Sequence, residues 1–428
     1  MSNLRTNTNI LQDTLQTLNS KGYIPNLQEK IITPSSSLQN VVADEGYDGL
    51  NTITIDSNLN LRPENIKTGI NIFEIIGDYE DESGISDALI ARTIGSVYIN
   101  NRIKDIGMYA FANCTSLTYV SFPACTSIGT RAFADCTKLN SINFPNCTNI
   151  GSYAFWCCTS LAEASFPVCT HIGNDAFYSC KSIISASFPD CTHIGNDAFT
   201  YCSSLTNVDF PNCTSIGYNA FYECKSLTNA SFPNCTSIGS SAFYYCSSLT
   251  SVNFPNCTSI SNSTFYGCKS LTNASFPKCI TIGRYAFGWC SSIASIDFPI
   301  CTSISNSTFY GCISLASVSF PKCTTIGSYA FTSCTSLTSA YFGYSTTSKV
   351  ATIYPQAFYN CTNLTNLTLY YPSVTKLSNV NAFTSTPMST STLTGSFGSI
   401  YVPASLVGAY KSATNWAKYA DRITAIVD

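Results

Sequence analysis

Charge and histidine are what this 428-residue sequence has least of. Lys and Arg number 21 against 24 Asp and Glu, charged residues make up 11%, and the formal net charge is −3. A chain so sparsely and evenly charged lacks the basic surface that attracts nucleic acid or anionic membrane, so neither partner is expected. Two histidines leave little for acid–base chemistry. No P-loop, GxSxG elbow, HExxH or CxxC pair occurs, so phosphoryl transfer, serine hydrolysis and structural zinc lack their usual residues. No run reaches membrane-spanning length, Met1 to Gly22 has no apolar signal core, and no lipidation tail is present. We therefore expect no catalytic residues, no resident metal, no cofactor and no membrane insertion, and classical secretion finds no support.

Apolar residues are plentiful by contrast, at 45% with 13% aromatic, which is enough for a buried core despite the many Ser, Thr and Asn. Cysteine reveals how that core is organised. Of 23 Cys, 21 lie 11 residues apart without interruption from Cys114 to Cys334, and only Cys157 and Cys361 fall outside the series. The flanking text alternates between AFxxC and FPxC, so the true period is 22 residues, repeated ten times from Ala110 to Tyr329. Degenerate units follow from Ala330, Ala357 and Ala382, and an atypical one precedes at Ala88 to Tyr109, as a stacked array needs at its ends.

The unit Ala220 to Ser241, AFYECKSLTNASFPNCTSIGSS, reads as one coil of a solenoid. Leu227, Ala230 and Phe232 are apolar while Asn229 and Ser231 are polar, the alternation of a short half-buried strand. Pro233 cannot donate to a ladder and should end the pairing there. Gly239 permits a turn, and Ala220, Phe221 and Cys224 suit one helical or 3₁₀ turn on the opposite wall. One unit cannot enclose its own Phe, Leu and Ile; stacking at about 4.8 Å turns each into an internal ladder.

The pattern IG-x-x-AF-x-x-C-x-S-L-x-x-V-x-FP resembles the BspA-type leucine-rich repeats of bacterial and protist surface proteins, from about Ala88 to Pro403. The resemblance implies a repeat solenoid of 22-residue units with short parallel strands. A second cysteine per unit, as at Cys235, and a unit one residue shorter than usual are departures that touch packing more than fold. Ile32 to Ile55 and Glu64 to Glu80 resemble segments of tail-associated proteins of phages and prophages of Gram-positive bacteria, which implies a virion tail component as partner of the N-terminal region. Ile400 to Val427 resembles the closing segment that follows such repeats, with a helix after Pro403, Trp416 and Tyr419 over the last coil, and a strand at Ile423 to Val427.

Four regions are expected: residues 1–22 as an N-terminal helix or attachment stem, 23–87 as a small β-rich module with an acidic linker at Asp78 to Gly84, 88–403 as the solenoid, and 404–428 as a C-terminal helical cap. Leu11, Leu15 and Leu18 recur at helical spacing within residues 9–19, consistent with a homo-oligomerising stem or with a short helix packed on its own chain. Lys30 to Asp56 reads as strands joined by a turn at Gly46 to Gly49.

The regularly spaced cysteines are expected to be buried free thiols, because Cys is small and apolar; disulfides between coils and zinc are the alternatives. His171 and His193 share one repeat position and should stack on a solvent-facing wall, with a metal pair as the alternative. The strand positions Asn207, Asp209, Asn229, Ser231, Ser251, Asn253, Asn273 and Ser275 are small and polar. The turns after AF are aromatic instead. Tyr178, Tyr201, Tyr222, Tyr244, Tyr245, Tyr266, Trp289 and Tyr310 form a candidate ligand-binding stripe, joined by Tyr153, Tyr218, Tyr285 and Tyr329 at unit junctions. Such rings stack on sugars, form a protein interface, or pack over the next coil.

Non-enzymatic binding is the function this points to. The leading reading is a phage tail receptor-binding or adhesive protein that recognises a bacterial cell-surface glycan or protein through repeated shallow sites. It would be made in the host cytoplasm and carried on the virion surface. The alternatives are a structural spacer or decoration protein of a virion, and a cellular surface or secreted leucine-rich repeat adhesin.

Overall fold

The computed structural model describes residues 103–343, 350–389 and 397–427, together with the backbone strands Leu27–Ile32, Gly49–Ile55, Asn71–Ile72, Ile75–Ile76 and Ser96–Ile99. They belong to two compact units, Met1–Phe210 and Pro211–Asp428, each a parallel β-solenoid of stacked 22-residue coils. The helix expected at residues 9–19 and the acidic linker at 78–84 lie outside the described residues.

The coil beginning at Asn229 represents the second unit. Its first strand, Asn229–Ser231, turns Ala230 inward and leaves Asn229 and Ser231 exposed. Phe232 still donates its N–H to the Asn253 carbonyl of the next coil, at 3.2 Å, and the turn begins at Pro233. The proline carbonyl remains an acceptor and is met by Asn256 Nδ2 at 2.8 Å. A second strand follows at Ser237–Ile238, two residues long and thus too short for any alternation to announce it. Each coil therefore contributes two short parallel strands, where one was expected.

The expected helical turn is absent, for a backbone reason. Ser241 and Tyr245 adopt left-handed conformations, at φ 58° and 54°, so the segment runs as two linked turns. Along it the N–H groups alternate in purpose. Those of Ala242, Tyr244 and Cys246 bond back three residues, to Gly239, Ser241 and Phe243, at 3.3, 3.1 and 3.2 Å. Those of Ser241, Phe243 and Tyr245 donate instead to Asn262, Thr264 and Tyr266 of the next coil, at 2.9, 2.9 and 2.8 Å. The arrangement satisfies the backbone of a wall that is neither helix nor sheet.

Gly239 also differs from its expected part. It needs no positive φ; it needs the absence of a side chain, because a Cβ there would lie 2.5 Å from the Gly217 backbone of the coil before. The glycine is kept for close stacking rather than for turning.

Two phenylalanine ladders fill the interior. In the second unit the AF rings, from Phe221 to Phe383, stack at centroid distances of 5.2 to 5.5 Å. The FP rings stack in parallel beside them, and the two columns meet at steep angles, as between Phe243 and Phe254 at 6.0 Å and 63°. The first unit repeats this, with AF rings from Phe111 to Phe199 at 5.1 to 5.2 Å. Offset stacking within columns and edge contact between them are the two arrangements the ring quadrupole favours.

Each column of cysteines has its own acceptor. The AFxxC thiols donate to the Phe carbonyl of the preceding coil, as Cys246 to Phe221 at 3.1 Å and Cys268 to Phe243 at 3.2 Å. The FPxC thiols donate two residues ahead, as Cys235 to Ser237 at 3.2 Å. None of the 23 cysteines is bridged, and all but Cys157 are buried. In the last coil Thr386 stands at the AFxxC cysteine position, but its hydroxyl bonds the Phe383 carbonyl of its own coil, at 2.7 Å, rather than that of the coil before.

The N-terminal strands continue the first unit's ladder. Leu27–Ile32 pairs with Gly49–Ile55, which pairs with Ser96–Ile99 and then Tyr119–Ser121, all parallel. Parallel neighbours need a crossover, so the expected joining of the strands of Lys30 to Asp56 by a short turn at Gly46 to Gly49 is corrected. Asn71–Ile72 and Ile75–Ile76 form a small antiparallel pair. At the other end, strand Ile423–Ala425 pairs with Ser399–Val402 after the helix Val407–Ser412. Tyr410, Trp416 and Tyr419 are buried there, with Trp416 and Tyr419 packed against Phe383 at 6.0 and 5.2 Å. The Trp416 indole N–H bonds the Thr375 carbonyl at 2.6 Å, and the Tyr419 hydroxyl bonds that of Val380.

Two outcomes follow from this core. Phe232 is fully buried, so Phe232→Ala should cost about 3–5 kcal/mol, measured by urea unfolding. Burial also pushes several of the thiols up, those of Cys235 and Cys312 to about 12, whereas Cys136, against its burial, is moved down by hydrogen bonds with Cys114 and Cys158. Below the ordinary thiol range, near pH ~8.5, both folded and unfolded states keep the proton and stability is indifferent to it. Above it the unfolded chain releases protons that the folded chain holds, so stability falls by about 1.4 kcal/mol per pH unit per thiol until the folded thiols titrate. The urea midpoint should drop steeply between pH 8 and 10; a flat profile would contradict the buried, protonated ladder.

Candidate binding edge

The second unit gathers six of the eight aromatic residues singled out in the sequence. Tyr222, Tyr244 and Tyr266 occupy the first position after AF in three successive coils, and their rings stack at 4.9 Å, within 9° of parallel. A column of this kind covers ring faces and leaves edges and hydroxyls outward. Tyr245 stands perpendicular to it, 4.7 Å from Tyr244 and 5.7 Å from Tyr266. Its ring lies over Gly267, where a Cβ would come within 2.4 Å of it.

Gly288 then takes the first position, and the column breaks. Tyr266 leans over that glycine and meets the junction residue Tyr285 at 6.0 Å and 82°. Tyr285 in turn meets Tyr310 at 6.3 Å, and Trp289 meets Tyr310 at 5.6 Å and 63°. Arg284 places its guanidinium 5.1 Å above the Tyr285 ring. Trp289 is 45% exposed, the most open ring of the eight, while the others are half-buried.

In the first unit Tyr178 and Tyr201 meet edge to face at 5.5 Å. Trp156, which the sequence reading passed over, stacks on Tyr178 at 6.1 Å and 18°. Its signal was its place directly after AF, the same as that of Tyr178. Farther along, Arg131 sits between Tyr109 and Tyr153, at 5.7 and 4.9 Å.

The backbone beneath these rings is unusual for aromatic residues. Tyr201, Tyr245 and Trp289 have φ of 62°, 54° and 58°, a region that costs an ordinary residue about 1–2 kcal/mol and suits Gly, Asn or Asp. Equivalent positions hold Asn113, Asp135, Gly267, Gly311 and Asn360, and also Cys157, Ser179, Glu223, Ser333 and Ser385. The junction tyrosines Tyr153, Tyr285 and Tyr329 are left-handed as well.

The phenols differ in acidity. Burial first, then the neighbouring tyrosines, pushes Tyr244 up to about 12, and burial raises Tyr178 and Tyr266. Tyr285 moves down, through its hydrogen bonds with Ser307 and Arg284.

The polar strand face carries a second feature. The ladder is interrupted between Asn273–Ser275 and Ser295–Asp297, which belong to different sheets, and Phe276 and Phe298 stand 6.1 Å apart there. A shallow cavity of about 530 Å³ opens over this break, lined by Asn273, Ser275, Ser295, Asp297, Ser317 and Ser319. Among the described residues, no group of three or more His, Cys, Asp and Glu is placed to hold a metal, and no helix is long and apolar enough to cross a membrane.

Comparison with known proteins agrees with this architecture. Residues 89–192, 170–291 and 280–404 match the family model described as BspA type leucine rich repeat region. Among solved structures, the chain is similar to a leucine-rich repeat protein of Eubacterium ventriosum, at 22% identity and TM-score 0.45 over 76% of this chain and 91% of that one. A leucine-rich repeat protein of Bacteroides ovatus is 21% identical, TM-score 0.40, over 82% and 91%. A leucine rich cell surface protein of Faecalibacterium prausnitzii is 20% identical, TM-score 0.33, over 76% and 89%. No curated protein matches the chain in sequence. Because the family matches run from residue 89 to residue 404, nearly the whole repeat array, the chain belongs to the BspA-type leucine-rich repeat family.

Proposed function

We propose that this protein is a non-enzymatic adhesive binder that engages an extended polymer of a bacterial surface, glycan or protein, along its aromatic edge. One observation carries the reading: Tyr201, Tyr245 and Trp289 are kept at backbone positions where glycine or asparagine would relieve strain. An aromatic side chain whose ring contacts only offset the strain of its backbone adds nothing to folding, and is most simply explained by what it contacts outside the chain. Repetition supports it, because weak equivalent contacts add through effective concentration. Surface display is typical of the family. The virion-tail setting rests on the N-terminal segments Ile32 to Ile55 and Glu64 to Glu80, and attachment of the protein to purified phage particles would separate it from display on a cell.

The test uses the full chain with Trp289→Ala, with Tyr245→Gly, and with Tyr222, Tyr244 and Tyr266 all changed to Ala. Binding to intact bacteria and purified cell wall should fall several-fold for each single variant and more than tenfold for the triple one. It should depend only weakly on salt, because the edge carries few charges. Tyr245→Gly should leave the unfolding midpoint nearly unchanged, since lost ring contact is offset by relief of the left-handed backbone. A folded triple variant that binds as well as the parent would leave the rings with packing alone, and the spacer reading would replace this one.

A further inference from the structure

The first unit holds the chain's two histidines as register partners on adjacent parallel strands, His171–Ile172 and His193–Ile194. Both side chains are exposed, and their rings lie parallel, 5.4 Å apart and within 3°. Each Nδ1 sits beside the hydroxyl of the preceding threonine, 2.9 Å from Thr170 Oγ1 and 2.8 Å from Thr192 Oγ1. Those hydroxyls are already committed: Thr170 donates to the Thr148 carbonyl at 3.2 Å, and Thr192 to the Thr170 carbonyl at 3.3 Å. A hydroxyl has one proton, so with that proton on the carbonyl each threonine accepts from its histidine, and Nδ1 carries the hydrogen. The remaining lone pair of each neutral imidazole is then on Nε2, and two parallel rings in register present these lone pairs on the same side of the wall.

We propose that His171 and His193 form a two-histidine clip for a divalent transition metal of the nickel, copper and zinc class. Each threonine stands at the nitrogen opposite, the place that an outer partner of a metal-bound imidazole takes. Metal–nitrogen bonds of about 2.0–2.1 Å require the two Nε2 atoms to be no more than about 4 Å apart. Parallel rings point their lone pairs side by side, so both imidazoles must also turn about χ1 and χ2 until the two Nε2 lone pairs converge on the ion, a rearrangement open to exposed side chains. The chain supplies two ligands and leaves the other positions to water or to a donor from a second molecule, so the ion is exchangeable.

Packing does not demand histidine here. The same strand position holds Asp105, Ser127 and Asn149 in the preceding coils of this unit. The neighbouring thiols do not compete from the outer side, because Cys169 and Cys191 are buried and donate to the His171 and His193 carbonyls at 3.3 and 3.2 Å.

The test is calorimetric titration of Ni²⁺ into the full-length protein in a non-coordinating buffer, comparing the parent with His171→Asn, His193→Asn and the double variant. Asparagine already occupies this position at Asn149, and circular dichroism confirms that the variants fold. The parent should bind one ion that the double variant does not. Each single variant should lose at least tenfold in affinity, because the chelate is broken. Equal binding by the parent and the double variant would overturn the proposal. So would single variants that each keep one ion-binding imidazole at the parent's affinity, since that is the behaviour of two independent histidines. As a second readout, Ni²⁺ should broaden the ring-proton resonances of both histidines in parallel; broadening of one alone would also refute the clip.

Discussion

Every coil of this protein is open on both faces until a neighbour closes it, and that single constraint governs the rest. The Ser241, Phe243 and Tyr245 N–H groups have no acceptor within their own coil and depend on the next one. The Phe243 ring similarly finds its stacking partners in Phe221 and Phe265, one coil before and one after. Backbone satisfaction and apolar burial are thus obtained by the same translation, so a residue that spoils the spacing spoils both. Glycine at 239 is one consequence, since any side chain there would hold two backbones apart.

The cysteines belong to the same logic. A carbonyl at the inner corner, such as that of Phe221, receives Cys224 N–H from its own coil and the Cys246 thiol from the next. A thiol is small enough for the corner, weakly polar, and able to donate, which alanine and valine are not. Where the array ends Thr386 stands at this position, and its hydroxyl turns to the Phe383 carbonyl of its own coil instead. A column of identical residues that looks like a disulfide or metal framework in the sequence is therefore a packing device with a hydrogen bond built in.

The outer walls answer to different demands. Where a coil position faces solvent, it can hold Asp, Ser, Asn or His without disturbing the stack, as the short-strand series Asp105, Ser127, Asn149, His171 and His193 shows. Function has room to vary there. The aromatic edge is less free, because Tyr201, Tyr245 and Trp289 rest on left-handed backbone and Tyr245 and Trp289 lean over glycines of the next coil. Fold and recognition meet in those residues, which is why their stability effects and binding effects must be read together.

The period, the inward set Leu227, Ala230 and Phe232, the strand at Asn229–Ser231 and the buried cysteine columns were all legible in the sequence, because each repeats in the same phase coil after coil. The two-residue strands, the parallel pairing of Leu27–Ile32 with Gly49–Ile55 and the left-handed turns were not, since none leaves a periodic trace within its own few residues. Likewise, the sequence aligned the aromatic residues but not their rings: whether a ring stacks like Tyr244, stands on edge like Tyr245 or opens outward like Trp289 depends on what the adjoining coil places against it. One coil's sequence thus determines which side chains turn inward. Only the stack decides what each of them meets, because every decisive contact joins residues a full repeat apart.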